Sequence, residues 1–111
     1  MSHHGKHLII DIWQAKNLDN IDIIRKALID CAKICKATIL DIKLHEFDKN
    51  KGITGVALLA ESHISIHSWP ESSYAAIDIF MCGNANPNLA TKVLSEAFQT
   101  DNLTVQEINR G

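Results

Sequence analysis

The sequence lacks the features that mark several large classes of protein. It contains no apolar run near the roughly 20 residues that a membrane helix needs, and no apolar signal segment at its start. Its 11 Lys and Arg residues against 13 Asp and Glu residues argue against a protein dedicated to binding nucleic acid. Its three cysteines, an odd number, do not make a disulfide framework. We therefore expect no membrane span, no nucleic-acid partner and a reducing, cytoplasmic location.

The length and composition predict one domain with a core of its own. The chain has 111 residues, of which 46% are hydrophobic. This length is typical of a single domain and is too short for two. We therefore treat residues 1–111 as one unit.

The spacing of apolar residues predicts six strands and two helices. Apolar residues three and four apart indicate an amphipathic helix over about 21–36, with Asp19 and Asn20 as capping residues. A second helix is predicted to follow Asn86 and Pro87. Pro70 marks a connection, because proline cannot lie in a central strand. The strands are predicted at 7–13, 37–47, 56–60, 63–67, 74–82 and 103–108.

Two amphipathic stretches carry finer predictions about burial. In the second strand Leu40, Ile42 and Leu44 alternate with polar residues and should share one face, with Ile39 and Phe47 out of phase. In the second helix Leu89 should belong to the apolar face, together with Ala90, Val93, Leu94, Ala97 and Phe98.

The order of the elements predicts the fold class. The order β-α-β-β-β-β-α-β has more strands than helices and permits largely antiparallel pairing. It predicts an α/β protein of the α+β kind: a two-layer α/β sandwich with two helices on one face of the sheet. The other face would be bare in a monomer, so it is either polar or covered by a partner.

The two strands on either side of the proline connection form a predicted hairpin whose register can be counted. If its centre lies near residue 71 or 72, paired positions sum to about 143. Ser62 then faces Met81 or its neighbour Cys82, and His67 faces about Ala76. Along a straight strand His67 is about 16 Å from Ser62, too far to act on it within one chain. A second subunit could supply His67 if the bare sheet faces pack across a two-fold axis.

Several segments resemble the prokaryotic S-adenosylmethionine decarboxylases. They are 60–71 (AESHISIHSWPE), 74–83 (YAAIDIFMCG), 5–8 (GKHL) and 52–56 (GITGV), and the resemblance spans nearly the whole chain. It implies a self-processing enzyme that cleaves itself between Glu61 and Ser62. Residues 1–61 would become the β chain, and residues 62–111 would become the α chain, which carries a covalent pyruvoyl cofactor made from Ser62.

The resemblance also implies how the cofactor forms. The Ser62 hydroxyl attacks the carbonyl of Glu61 and turns the amide into an ester. Loss of the Ser62 Cα proton then eliminates the Glu61 carboxylate, and loss of ammonia leaves the pyruvoyl group. His67 matches the family's processing histidine. Thr54 stands where the family often has a serine that assists the cut.

For catalysis the resemblance implies decarboxylation of S-adenosylmethionine to the aminopropyl donor for spermidine biosynthesis. The pyruvoyl ketone forms a Schiff base with the substrate and accepts electrons as CO2 leaves. Cys82 matches the proton donor. The enzyme would be a homodimer of processed protomers with sites shared across the interface. The residues assigned to substrate binding are Phe47 (adenine), Glu71 (ribose), Trp69 and Glu61.

Two other functions remain open at this point. The same cofactor could decarboxylate a basic amino acid, ornithine or arginine, with a different pocket. Alternatively, the chain could be an unprocessed, non-catalytic ligand-binding homologue. The residues Ser62, His67 and Cys82 are all present and favour the enzyme.

Three other patterns have ordinary explanations. His63 and His67 are four residues apart, but on a strand this spacing is no metal-ligand geometry, so we expect no metal site. Cys31 and Cys35 share a helix face and are expected in the core. The segment 52–55 (GITG) imitates an RNA-binding loop, but that loop joins two helices and this segment lies between strands.

Overall fold

The computed structural model describes residues 4–48, 51–82 and 85–111 and confirms the predicted order of elements. Gly83, the last residue of one resembling segment, lies outside the described residues. Short 3-10 turns precede the fifth strand and the second helix, at Pro70–Ser72 and Pro87–Leu89. The main elements are β1 Gly5–Ile12, α1 Ile21–Ile34, β2 Ile39–Glu46, β3 Ile53–Leu59, β4 Ser62–Trp69, β5 Tyr74–Cys82, α2 Ala90–Ala97 and β6 Leu103–Arg110.

The six strands form one sheet in the order β2-β3-β4-β5-β1-β6, and every neighbouring pair is antiparallel. The buried side chains of α1 and α2 pack with one face of this sheet into a single apolar core. The two-layer sandwich with both helices on one face is therefore confirmed. No helix in the described part of the chain is long and apolar enough to cross a membrane. Large side chains in the core include Leu8, Ile10, Leu28, Ile64, Ile66, Ile77, Ile79 and Phe98.

The helix starts follow their capping residues. The Asn20 side chain accepts hydrogen bonds from the backbone N–H groups of Asp22 and Ile23, which fixes the start of α1. Asn86 caps in the same way, but the turn that begins at Pro87 is 3-10, and the α-helix itself begins at Ala90.

Two burial predictions were wrong. The pairing of β2 with β3 shifts between Ile39 and Asp41, as a β-bulge does. Because a bulge adds one residue to one strand, it reverses the alternation: Ile39 packs against the core and Leu40 is 66% exposed. Leu89 is also exposed, since it lies in the 3-10 turn, where three rather than 3.6 residues complete a turn.

The face of the sheet opposite the helices is called the open face below. Along β1, β4 and β5, side chains buried under the helices alternate with half-buried or exposed ones that point to the open face. Several large apolar side chains on that face are exposed, among them Leu58, Trp69 and Ile108. In the single chain this face is thus uncovered, as expected, and it is partly apolar.

Candidate active site

The link between β3 and β4 is a tight turn of two residues, Ala60 and Glu61. Leu59 pairs with Ser62 across the hairpin, so these two residues alone reverse the chain. Glu61 has a φ of 61°, in the left-handed region that favours glycine. The bond predicted to be cleaved, Glu61–Ser62, therefore directly follows a residue in an unfavourable backbone conformation.

Cys82 contacts both sides of that bond. Its backbone N–H donates to Ser62 Oγ at 3.2 Å, and its thiol donates to the carbonyl oxygen of Glu61 at 2.7 Å. Cys82 lies beside Ser62 because of the register of β4 with β5, in which His63 pairs with Phe80 and His67 with Ala76. The counted register of the hairpin is confirmed, and it places Ser62 beside Cys82.

Thr54 and His67 meet at the other end of β4. They are directly paired between β3 and β4, and Thr54 Oγ1 lies 3.1 Å from His67 Nδ1, within hydrogen-bond distance. His67 is five residues along β4 from Ser62, or about 16 Å at the rise of an extended strand. The two groups of predicted residues thus occupy opposite ends of the same strand.

A cavity of about 670 Å³ adjoins the Thr54–His67 pair. Three of the side chains assigned to substrate binding line it: Phe47 (adenine), Glu71 (ribose) and Trp69. Phe47 is half exposed and packs edge-to-face on His45, with ring centroids 4.6 Å apart. The structure therefore brings five of the predicted residues together at one end of β4. The other three, Glu61, Ser62 and Cys82, are together at the opposite end.

The other titratable side chains of the described ranges are scattered or buried. Among residues 4–48, 51–82 and 85–111, no group of three or more His, Cys, Asp or Glu side chains could hold a metal ion. Cys31 and Cys35 are buried in the core, as expected, and burial raises the pKa of both thiols.

Sequence reasoning missed two features of this site. The first is the left-handed turn at Glu61. The sequence gives no sign of it, because the turn contains no glycine or asparagine, the residues that favour a positive φ. The second is the contact of His45 with Phe47. The spacing i, i+2 on a strand could have revealed this contact, because such residues share a face.

Comparison with known proteins shows the family of this chain. The family model for S-adenosylmethionine decarboxylase matches residues 6–111, and the chain belongs to this family. The S-adenosylmethionine decarboxylase proenzyme of Methanococcus aeolicus is 45% identical over 114 residues, which cover 100% of this chain and 97% of that protein. The proenzyme of Thermomicrobium roseum is 38% identical over 112 residues, covering 100% of this chain and 97% of that protein.

A solved structure is similar throughout. The crystal structure of the adenosylmethionine decarboxylase from Aquifex aeolicus matches with a TM-score of 0.88 and 28% identity. The match covers 100% of this chain and 93% of that one. The sandwich described above is therefore the fold of this family.

Proposed function

We propose that this protein is a pyruvoyl-dependent S-adenosylmethionine decarboxylase that makes its cofactor by cleaving itself between Glu61 and Ser62. The observation that carries the proposal is the pair of hydrogen bonds by which Cys82 holds Glu61 O and Ser62 Oγ. The relatives support it, since they are named S-adenosylmethionine decarboxylase proenzymes, and a proenzyme is a precursor that becomes active by processing.

Cleavage begins when Ser62 Oγ attacks the carbonyl carbon of Glu61 and the C–N bond between them breaks, leaving an ester. Negative charge develops on the Glu61 oxygen during this attack. The Cys82 thiol already donates to that oxygen and would stabilise the charge, as the donors of an oxyanion hole do. The left-handed backbone of Glu61 costs about 1–3 kcal/mol, which the cut releases.

The ester must then lose the Cα proton of Ser62, with departure of the Glu61 carboxylate. His67 is the base that we assign to this step, and its hydrogen bond with Thr54 holds the ring in place. Because His67 is about 16 Å along the strand from Ser62, the base acts on the other subunit of a homodimer. Addition of water and loss of ammonia then complete the pyruvoyl group.

The residues around position 62 suit this cofactor. A pyruvoyl ketone binds the amino group of a substrate covalently and accepts electrons as CO2 leaves. It would lie at the start of β4, beside the Cys82 thiol. Cys82 then returns a proton to the substrate's α-carbon.

The cavity at the other end of β4 suits the rest of the substrate. The exposed rings of Phe47 and Trp69 offer faces for the adenine, and an aromatic face attracts the sulfonium cation by about 0.5–2 kcal/mol. Glu71 lines the same cavity and can accept hydrogen bonds from the ribose hydroxyls. Glu61 would contact the substrate from the other end.

A homodimer packed through the open face explains why the site is divided. Each subunit would contribute Ser62 and Cys82 to one site and the Thr54–His67 pair with its cavity to the other. The exposed apolar side chains Leu58 and Ile108 on the open face would be covered in such a dimer.

We also infer a cytoplasmic location and a place in spermidine biosynthesis. Three free cysteines suit a reducing compartment. The decarboxylated product carries an aminopropyl group that a transferase can use.

Intact-mass measurement of the purified protein tests the proposal most directly. We expect two chains, residues 1–61 and residues 62–111, the second carrying a pyruvoyl group in place of its amino terminus. A chain of 12.3 kDa that persists after prolonged incubation would instead favour the unprocessed homologue. Release of CO2 from S-adenosylmethionine, and not from ornithine or arginine, would separate the two decarboxylase alternatives.

A further inference from the structure

All the tyrosine and tryptophan residues of the chain lie in a single stack. The sequence has one Tyr and two Trp residues. The centroid of the Tyr74 ring lies 4.5 Å from that of Trp13, at an interplanar angle of 33°, and 5.3 Å from that of Trp69. The planes of Tyr74 and Trp69 differ by 23°, a stacked arrangement. Since Trp69 also lines the cavity, one wall of the cavity continues into this stack.

The central ring of the stack is anchored to a neighbouring strand. The Tyr74 hydroxyl donates a hydrogen bond of 2.5 Å to Asp11 Oδ1, and Asp11 belongs to β1. This bond, with burial and the negative charge of Asp11, raises the pKa of Tyr74 to about 12. The phenol therefore keeps its proton, and the bond persists, throughout the neutral range.

We propose that Asp11 and Tyr74 are positioning residues for substrate binding: their hydrogen bond fixes the Tyr74 ring, and the stack then fixes the plane of Trp69 in the cavity wall. The inference rests on the proposed function, because it takes the cavity to bind the adenosyl part of the substrate. The Trp69 side chain is 42% exposed, so without a stacking partner it could adopt several rotamers. Ordering a mobile wall costs free energy on binding, and a wall that is already ordered avoids this cost.

Steady-state kinetics of the processed enzyme test the proposal. We expect Tyr74→Leu to raise KM about tenfold, with kcat within about twofold and self-cleavage unchanged, since a lost positioning contact weakens binding without touching the chemistry. Tyr74→Phe and Asp11→Ala should each raise KM about threefold. The double variant should do no more than either single one, because both delete the same bond. Asp30→Asn is the control, since it removes a carboxylate that bonds Lys26 on α1, and KM should stay constant.

Two spectroscopic signals report on the stack without any need for activity. We expect the near-UV circular dichroism to come mainly from the contacting Tyr and Trp rings, and Tyr74→Leu to lose most of it. Absorbance at the tyrosinate band titrates Tyr74 alone, with a midpoint near 12 that falls toward about 10 in Asp11→Ala. Because the pKa is raised in the folded state, the bond stabilises the fold below about pH 10 and is lost as the pH rises toward 12.

The binding of adenosine, used as a probe, completes the test. It should quench Trp fluorescence in the wild type and in Trp13→Phe, but not in Trp69→Phe. An unchanged KM in Tyr74→Leu, additive effects in the double variant, or a fall in kcat at constant KM would each overturn the positioning role. Absence of CO2 release by the wild type would instead overturn the proposed function, and the spectroscopic results would still decide whether Asp11 and Tyr74 hold Trp69.

Discussion

The two ends of β4 are built on different principles. At the Ser62 end, Cys82 at the end of β5 contacts the left-handed β3–β4 turn: its thiol bonds the Glu61 carbonyl oxygen, and its backbone N–H bonds Ser62 Oγ. At the His67 end, side chains on the open face surround a cavity, and the backbone only spaces them. Under the proposed function, the first end serves the single cut that makes the cofactor and then the covalent step of every turnover. The second suits repeated binding of a small molecule.

This contrast predicts that the two ends fail in different ways. Changes at the Ser62 end should stop or slow the formation of the enzyme. Changes in the cavity should leave cleavage intact and weaken binding. The Thr54–His67 pair is the exception, since it lies at the cavity end and yet is assigned to cleavage of the partner chain.

The largest effect is expected for Ser62→Ala. The variant has no hydroxyl to attack Glu61, so intact-mass analysis should find only full-length chains, and decarboxylation should be undetectable. Ser65→Ala, on the same strand, is the matched control and should be cleaved normally. Cleavage of the Ser62→Ala protein would refute the assignment of the nucleophile.

The next largest effect is expected for His67→Ala. This variant should not be cleaved when it is expressed alone, and coexpression with the Ser62→Ala chain should restore its cleavage. When it is coexpressed in equal amounts with Ser62→Ala, about half of the dimers should be mixed. In these the intact His67 of one subunit can serve the intact Ser62 of the other. Mass spectrometry should then find that about half of the His67→Ala chains are cleaved and none of the Ser62→Ala chains. If coexpression restored no cleavage, His67 would have to act on Ser62 of its own chain.

A smaller effect is expected for Cys82→Ala. Loss of the donor to the Glu61 oxygen should slow cleavage about a hundredfold, as followed by a time course on denaturing gels. Cys82→Ser retains a donor at the same position and should recover most of the rate. If Cys82→Ala were cleaved at the wild-type rate, the thiol would have no part in forming the cofactor.

The smallest effect is expected for Phe47→Leu, which keeps an apolar side chain but removes the aromatic face. KM for S-adenosylmethionine should rise about tenfold while cleavage proceeds normally. Leu40→Ala, an exposed change on β2, the strand that ends just before Phe47, should alter neither quantity. A cleavage defect in Phe47→Leu would contradict the separation of the two ends.

Much of this arrangement could be predicted from the sequence. The contact between Ser62 and Cys82 followed from the strand pattern and the position of Pro70, because antiparallel register is determined once the turn is located. The rise per residue of an extended strand likewise predicted the separation of Ser62 from His67. What could be predicted was therefore the placement of residues along regular strands.

The rest depended on irregular backbone, which leaves little trace in a single sequence. The bulge at Ile39 to Asp41 reverses burial at Leu40, although the alternation of residue types there is regular. The turn at Glu61 uses no residue that prefers a left-handed conformation, so the hairpin's pairing must impose it. The roles of Asp11 and Tyr74 depend on contacts between β1 and β5, which are distant in sequence.

The strand order has a consequence for the protein after the proposed cut. The segment before Ser62 supplies β1, β2 and β3, and the segment after Glu61 supplies β4, β5 and β6. Because β1 is inserted between β5 and β6, three of the five strand junctions, β3–β4, β5–β1 and β1–β6, join one fragment to the other. The two fragments would be interleaved in one sheet. We therefore expect that they do not dissociate on dilution and that separating them requires unfolding of the whole protein.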